Sequence, residues 1–140
     1  MSQIIIGREY PDLVIEKVKG AKQSIKILMF AWRWYDGELG TKIQKFNNEI
    51  ILAAARGVAV RAVCNFEFIA SKLSQCGVDI KKCETKKMLH VKMIIFDEKI
   101  VFLGSHNLTK NAFEINHEVS TMIEEPLAVS RCNSFFENLH

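Results

Sequence analysis

Apolar positions along the chain switch between helical and strand spacing. Pro11 and Asp12 open a helix that Leu13, Val14, Lys17 and Val18 carry to Gly20. Residues 25–32 form a nearly continuous apolar run, the pattern of a strand buried on both faces. Ile43, Phe46, Ile50 and Ala53 or Ala54 make an apolar stripe at helical spacing across residues 41–56, and Gly57 fits the position just past the helix end. Residues 58–65 read as a second strand, 67–76 as a short helix stopped by Gly77, and 78–83 as a third, more polar strand.

Further along, strands follow strands. Residues 89–96 and 100–103 are two apolar runs joined by Asp97-Glu98-Lys99, which predicts a hairpin. Residues 107–112 suggest one helical turn and 117–123 another strand. Pro126 opens a last helix that buries Val129, Cys132, Phe136 and Leu139. Helix–strand alternation followed by a strand-rich half predicts an α/β fold, a mixed sheet flanked by helices on both faces. The 140 residues suit one domain with one core, with no linker or internal repeat.

Composition narrows the class without naming a chemistry. The chain is 49% hydrophobic and 25% charged, which is ordinary for a globular protein. Its net charge of +3 is localised: residues 72–99 hold seven lysines against Asp79, Glu84, Asp97 and Glu98, and the rest is balanced. Cys64, Cys76, Cys83 and Cys132 form no CxxC pair or zinc pattern, so they are expected to be reduced core thiols of a cytoplasmic protein. The opening MSQIIIGREYPD lacks the basic and long apolar regions of a secretion signal. No apolar run approaches the roughly 20 residues that span a bilayer, so no stable membrane association is expected.

Chemistry concentrates in MLHVKMIIFDEKIVFLGSHNLT, residues 88–109. In a strand, residues two apart face the same way, which puts His90 beside Lys92. A lysine can hold a non-bridging phosphate oxygen while a histidine attacks phosphorus or moves a proton. Beyond the hairpin, Gly104 is read as allowing a tight turn, and Ser105 and Asn107 are short polar donors suited to phosphate oxygens. Glu118, in the next strand, is placed to accept a hydrogen bond from His90 and fix its tautomer.

The spacing HxKxxxxD followed by GSxN, here His90, Lys92, Asp97, Gly104, Ser105 and Asn107, resembles the signature of the phospholipase D superfamily. The run ILAAARGVAVRAVCN and the position of Glu118 extend the likeness to about residues 10–136, most similar to small single-motif members that include bacterial endonucleases. The resemblance implies a phospholipase D-like α/β sandwich and a metal-independent phosphodiesterase with no cofactor. It also implies a covalent phosphohistidine on the motif histidine, with a second motif histidine protonating the leaving oxygen. This chain has one HxK only, because His106, His117 and His140 are not followed two residues later by lysine. The second motif must then come from a second copy, which implies a homodimer with a shared active site. By the same analogy Asp97, although part of the signature, is a structural partner more than a direct participant.

Other candidates rest on position alone. His106 fills the variable place of GSxN and is a candidate substrate contact. Lys86 and Lys87, with Lys81 and Lys82, lead into the motif and could steer a polyanion. Trp32, at the end of the first strand, opens the run Trp32-Arg33-Trp34-Tyr35, which could stack on bases, line a lipid groove or pack a dimer. No HExxH, Walker loop or GxGxxG is present. The expected activity is that of a low-specificity nuclease on DNA or RNA. A lipid phosphodiesterase and a catalytically silent nucleic-acid-binding module are the rivals.

Overall fold

In the computed structural model, which describes residues 2–140, the chain opens with strand β1 (Ser2–Ile6) and helix α1 (Glu9–Gly20). There follow β2 (Ser24–Met29), α2 (Lys42–Ala55), β3 (Ala59–Cys64), α3 (Glu67–Ser74) and β4 (Asp79–Lys82). The hairpin β5 (Lys92–Phe96) and β6 (Ile100–Gly104) comes next, then α4 (Lys110–Glu114), β7 (Val119–Ile123) and α5 (Pro126–Leu139). The strands form one mixed sheet in the order β1-β7-β6-β5-β2-β3-β4. β2, β3 and β4 run parallel because helices cross over between them, whereas the other pairings are antiparallel. This is the mixed sheet with helices on both faces that the alternation predicts.

Strand alternation sorts the side chains into two cores. Ile25, Ile27, Met29, Ile94, Phe96 and Phe102 face one way and pack with Val14, Ile43, Phe46, Ile50, Ile69 and Phe113 of α1 to α4. Leu28, Val63, Met93, Ile95 and Val101 face the other way, under Val129 and Phe136 of α5. Thr41 caps α2 by accepting from the Gln44 N–H, and Thr109 caps α4 by accepting from the Ala112 N–H.

Lys26 interrupts the apolar run of β2 and is nonetheless 2% exposed. Its ammonium meets Glu98 Oε1 at 2.7 Å, Glu137 Oε2 at 2.8 Å and the Asn133 side-chain oxygen. Arg61 grips the same Glu137 with two nitrogens, at 2.9 and 2.5 Å. Those hydrogen bonds, from Arg61 first and Lys26 next, hold the Glu137 carboxyl down at about 2. A buried ammonium needs such partners, and here they clamp α5 and the β5–β6 turn to the sheet.

The hairpin turn places Asp97 and Glu98 both at positive φ, 53° and 54°, and the Lys99 N–H donates to the Phe96 carbonyl at 3.0 Å. This is the backbone of a type I′ turn, which usually takes Asn-Gly. The carboxylates explain the exception: Glu98 neutralises Lys26, and Asp97 accepts from the N–H groups of Lys22, Gln23 and Ser24. Gly104 has a different role from the tight turn expected of it. It ends β6, where an added Cβ would sit 2.4 Å from Ser120 Cα on β7, so glycine is needed for close strand approach.

Several boundaries shift. β1 was not anticipated; it adds an edge strand beside β7. The regular ladder of β5 begins at Lys92, so His90 stands in the extended segment just before it. The four cysteines are free thiols, yet Cys76 is exposed and only Cys64 is fully buried.

Candidate active site

The strand ends nearest His90 meet through a set of backbone ties. The Phe30 N–H donates to the Val91 carbonyl at 2.9 Å, continuing the β2–β5 pairing past the regular ladder. Leu108 and Ala31 join by Leu108 N–H to Ala31 carbonyl, 3.0 Å, and the Arg33 N–H donates to the Leu108 carbonyl, 3.0 Å. Asn65, directly after β3, sends its Nδ2 to the carbonyls of Phe30 and Leu89, at 3.0 and 2.8 Å. Three segments, around residues 30, 90 and 107, are thereby fixed to one another. Asn65 was not singled out as a site residue; its only sequence signal is that it closes the run ILAAARGVAVRAVCN.

On this platform the Lys92 ammonium lies 3.1 Å from Nδ1 of His90. An ammonium has donors only, so the imidazole nitrogen it meets is the acceptor. The His90 ring is exposed on its outer side and leans on Phe30, with ring centroids 4.8 Å apart. Lys92 is half-buried, and its charge sits 5.2 Å from the centre of the same Phe30 ring. Phe30 thus orients both members of the pair. Asn107 accepts from the Ala31 N–H through Oδ1 at 3.0 Å. A backbone donor on Oδ1 fixes the amide orientation and leaves Nδ2 to donate to an incoming oxygen.

Glu118 departs from its expected partner. Its Oε1 accepts from the Ser105 hydroxyl at 2.5 Å and its Oε2 from Asn116 Nδ2 at 3.1 Å, whereas His90 is met by Lys92. Ser105 also accepts from the Val119 N–H at 3.0 Å. Its hydroxyl proton is therefore committed to Glu118, and Ser105 must break that bond before it can donate to a phosphate. The pair joins β6 to β7 at the rim of the site.

Three other candidates belong to the scaffold. Asp97 lies at the far end of β5 from Lys92, five residues or about 17 Å along the strand. Partial burial raises its pKa, but the N–H donors of Gln23, Ser24 and Lys22 more than reverse this and hold the carboxyl below its ordinary value. His106 is 1% exposed rather than on the substrate side. It stacks on Tyr10 with centroids 4.1 Å apart, donates from Nε2 to the Gly7 carbonyl at 3.0 Å and accepts at Nδ1 from the Ser120 hydroxyl at 2.8 Å. Burial lowers the His106 pKa, so the ring is a neutral pin between β1, α1 and β7. Trp32 is wholly buried against Phe46 and donates its indole N–H to Asn47 at 2.8 Å, so its ring is part of the core. Lys86 and Lys87 stand exposed in the loop before His90.

A lysine ammonium against an exposed imidazole, with an asparagine amide held by a neighbouring backbone N–H, can act on a phosphate ester, and the family comparison bears on that chemistry. Residues 14–140 match the family described as "Cardiolipin synthase, PLD-like domain", and the chain belongs to the phospholipase D superfamily of phosphodiesterases. Among curated relatives it is 25% identical to the mitochondrial cardiolipin hydrolase of Mus musculus over 118 residues, 80% of this chain and 49% of that protein. The chain thus spans about half the length of this relative. Two solved structures share the fold along almost the whole of both chains. Nuc from Salmonella typhimurium, a phospholipase D family member, superposes with a TM-score of 0.83 at 20% identity, covering 99% of this chain and 94% of that one. NucT from Helicobacter pylori does so with a TM-score of 0.80 at 21% identity and the same coverage.

Proposed function

We propose that the chain hydrolyses nucleic-acid phosphodiester bonds without a metal, at a site completed by a second copy of itself. The observation that carries this is the Lys92 ammonium 3.1 Å from the exposed His90 ring, beside an Asn107 amide whose donors are left for a substrate. In the proposed reaction, His90 attacks phosphorus and forms a phosphorus–nitrogen bond as the phosphorus–oxygen bond to the leaving group breaks. The His90 of the second copy gives its proton to that leaving oxygen. The same ring then takes a proton from water, whose oxygen attacks phosphorus and releases His90. Lys92 and Asn107 from both copies offset the charge on the non-bridging oxygens, the task a divalent ion performs elsewhere.

A surface for the second copy adjoins the site. α5 covers only part of its face of the sheet, and on the β1–β7 side Ile4 and Ile6 are each 62% exposed and Val119 53%. Ile6 is the register partner of Val119, the residue after Glu118, so this apolar strip begins at the rim of the site. Exposed isoleucines in a row on an edge strand favour burial against another chain.

The exposed lysines of residues 81–87 and the exposed Arg33, whose guanidinium lies over the Phe66 ring, favour a nucleic acid as substrate. Two observations favour a lipid phosphodiester instead: the curated relatives are named cardiolipin hydrolases, and an apolar hollow of about 290 Å³ opens beside Met88 and Leu89. Incubating the protein with single-stranded DNA, RNA, cardiolipin vesicles and a chromogenic phosphodiester separates the two, with His90→Ala as the blank. Cleavage of DNA or RNA that His90→Ala abolishes is expected. Turnover of cardiolipin alone would replace the first reading with the second, and silence on every substrate would refute both.

A further inference from the structure

Beyond β2, a group of rings and cations is left unexplained by phosphate chemistry. Arg33 is exposed, and its guanidinium lies 5.2 Å from the centre of the Phe66 ring. The Lys72 ammonium sits 5.4 Å from the Phe68 ring and 5.9 Å from the Trp34 ring. Phe68 is 56% exposed, and with Arg33, Trp34 and Phe66, above Trp32 and Ile69, it borders a groove of about 110 Å³, the scale of a single flat heterocycle. A cluster built only for stability would bury its rings. This one presents a guanidinium plane already backed by a ring, and a second ring open to solvent.

The cluster is tied to the candidate site by main chain. The Arg33 N–H is bonded to the Leu108 carbonyl, the residue after Asn107. Phe66 follows Asn65, whose amide holds both Phe30 and Leu89, and Leu89 precedes His90. Both edges of the groove are therefore registered to His90 and Asn107. A substrate group that reaches it is held at a set distance from the reacting phosphate.

The geometry points to a base-stacking subsite: the outer face of Arg33, backed by Phe66 and flanked by Phe68, takes one unpaired base of a single-stranded nucleic acid next to the scissile phosphate. This deepens the nucleic-acid reading above and rests on it. Every base offers a π face to a guanidinium or a phenyl ring, so such a subsite grips a strand without reading its sequence. A base paired within a duplex keeps both faces covered and cannot enter. Single strands are then the preferred substrate. An acyl chain fits the subsite less well, because Arg33 and Lys72 hold charge over the rings.

The test removes the partner from each side in turn. A set of oligodeoxynucleotides, each lacking the base at one position, is cleaved by the wild type and by the double variant Arg33→Ala/Phe68→Ala, and kcat/KM is compared at each cut. For the wild type, loss of the base at one fixed offset from the cut should lower kcat/KM by about tenfold, the scale of one base–aromatic stack. The double variant, still folded by thermal melting, should show a similar loss on the intact strand and no further loss when that base is absent. Arg33→Lys keeps the charge without the plane and should not restore the wild-type value. A wild-type profile that is flat along the strand overturns the subsite while leaving the nuclease reading intact. So does a variant whose loss simply adds to that of the missing base. A wild type that cuts no nucleic acid removes the reading beneath it as well.

Discussion

Replacing Asp97 by asparagine should weaken the fold and spare the chemistry, although Asp97 belongs to the family signature. The carboxylate accepts from the N–H groups of Lys22, Gln23 and Ser24, and its Oδ1 alone takes contacts of 3.1, 2.7 and 3.0 Å. Asparagine keeps an oxygen at that position and tolerates the positive φ of 53°. What it loses is the charge on the hydrogen bonds from three donors and the second acceptor, Oδ2, which the Lys22 N–H also meets at 3.1 Å. Charged hydrogen bonds exceed neutral ones by about 1 kcal/mol each. Two of the three donors belong to exposed residues that water can serve, so a total of about 1–2 kcal/mol is expected. Alanine would also strip the acceptors and the short polar side chain that makes the left-handed region tolerable, raising the loss to about 3 kcal/mol. For a chain of this length the unfolding entropy is about 0.3 kcal/mol/K, so Asp97→Asn should lower Tm by about 3–7 °C.

The pH dependence carries a sign. The folded pKa of Asp97 lies below its ordinary value, so its contribution is complete above the unfolded value of about 4 and is lost as pH falls through the folded one. The Tm gap between wild type and Asp97→Asn should therefore be full at neutral pH and close in acid. Thermal melts across pH 2–7, with turnover of a chromogenic phosphodiester at pH 7, give both readouts. A hundredfold fall in kcat with an unchanged Tm would refute the reasoning, because it would put Asp97 at the reacting phosphate and not about 17 Å along β5 from Lys92.

Lys92→Ala should lower turnover on the order of a hundredfold, as lost oxyanion donors do, with Tm nearly unchanged; a full-activity variant contradicts the role. Gly104→Ala drives a methyl group to 2.4 Å from Ser120 Cα and should destabilise by about 3 kcal/mol, read as a lower urea midpoint. His106 is held neutral by burial, so as pH falls below its unfolded value of about 6.5 the wild type should lose stability relative to His106→Gln; parallel Tm curves for the two would count against the buried pin. Excess EDTA should leave phosphodiesterase activity intact, and complete loss restored by a divalent ion would end the metal-independent proposal. Mixing wild-type and His90→Ala chains equally, with full exchange, leaves about a quarter of dimers wild type, so activity on DNA should fall to about half that of the unmixed wild type; an unchanged rate would give each chain its own complete site.

Most of the fold is legible because burial writes its period into the sequence. The runs at 25–32, 58–65 and 89–96 became β2, β3 and β5, and the stripe Ile43, Phe46, Ile50 became the buried side of α2. The misses share a cause: their partners lie far away in the chain. β1 is five residues long and gains strand structure only by pairing with β7, more than a hundred residues on. Lys26 reads as a flaw in an apolar run until Glu98, Asn133 and Glu137 arrive beside it.

The candidate site divides along the same line. Spacing of two placed His90 next to Lys92, since that relation is local, and the contact is present. Spacing could not say where Trp32, Asp97, His106 and Glu118 turn, because each choice is made by a remote group: Asn47, the N–H groups of residues 22–24, Tyr10 with Gly7, and Ser105. A motif names residues that work together without separating those that touch a phosphate from those that hold the frame. Here the two sets differ in how their polar atoms are used. Asp97, His106 and Glu118 have both side-chain heteroatoms engaged by the protein itself. Asn107 has only its oxygen so engaged, and His90 and Lys92 touch chiefly each other. Polar capacity left over on a rigid rim is what a substrate can use, and it is carried by the residues assigned to bind and attack the phosphate.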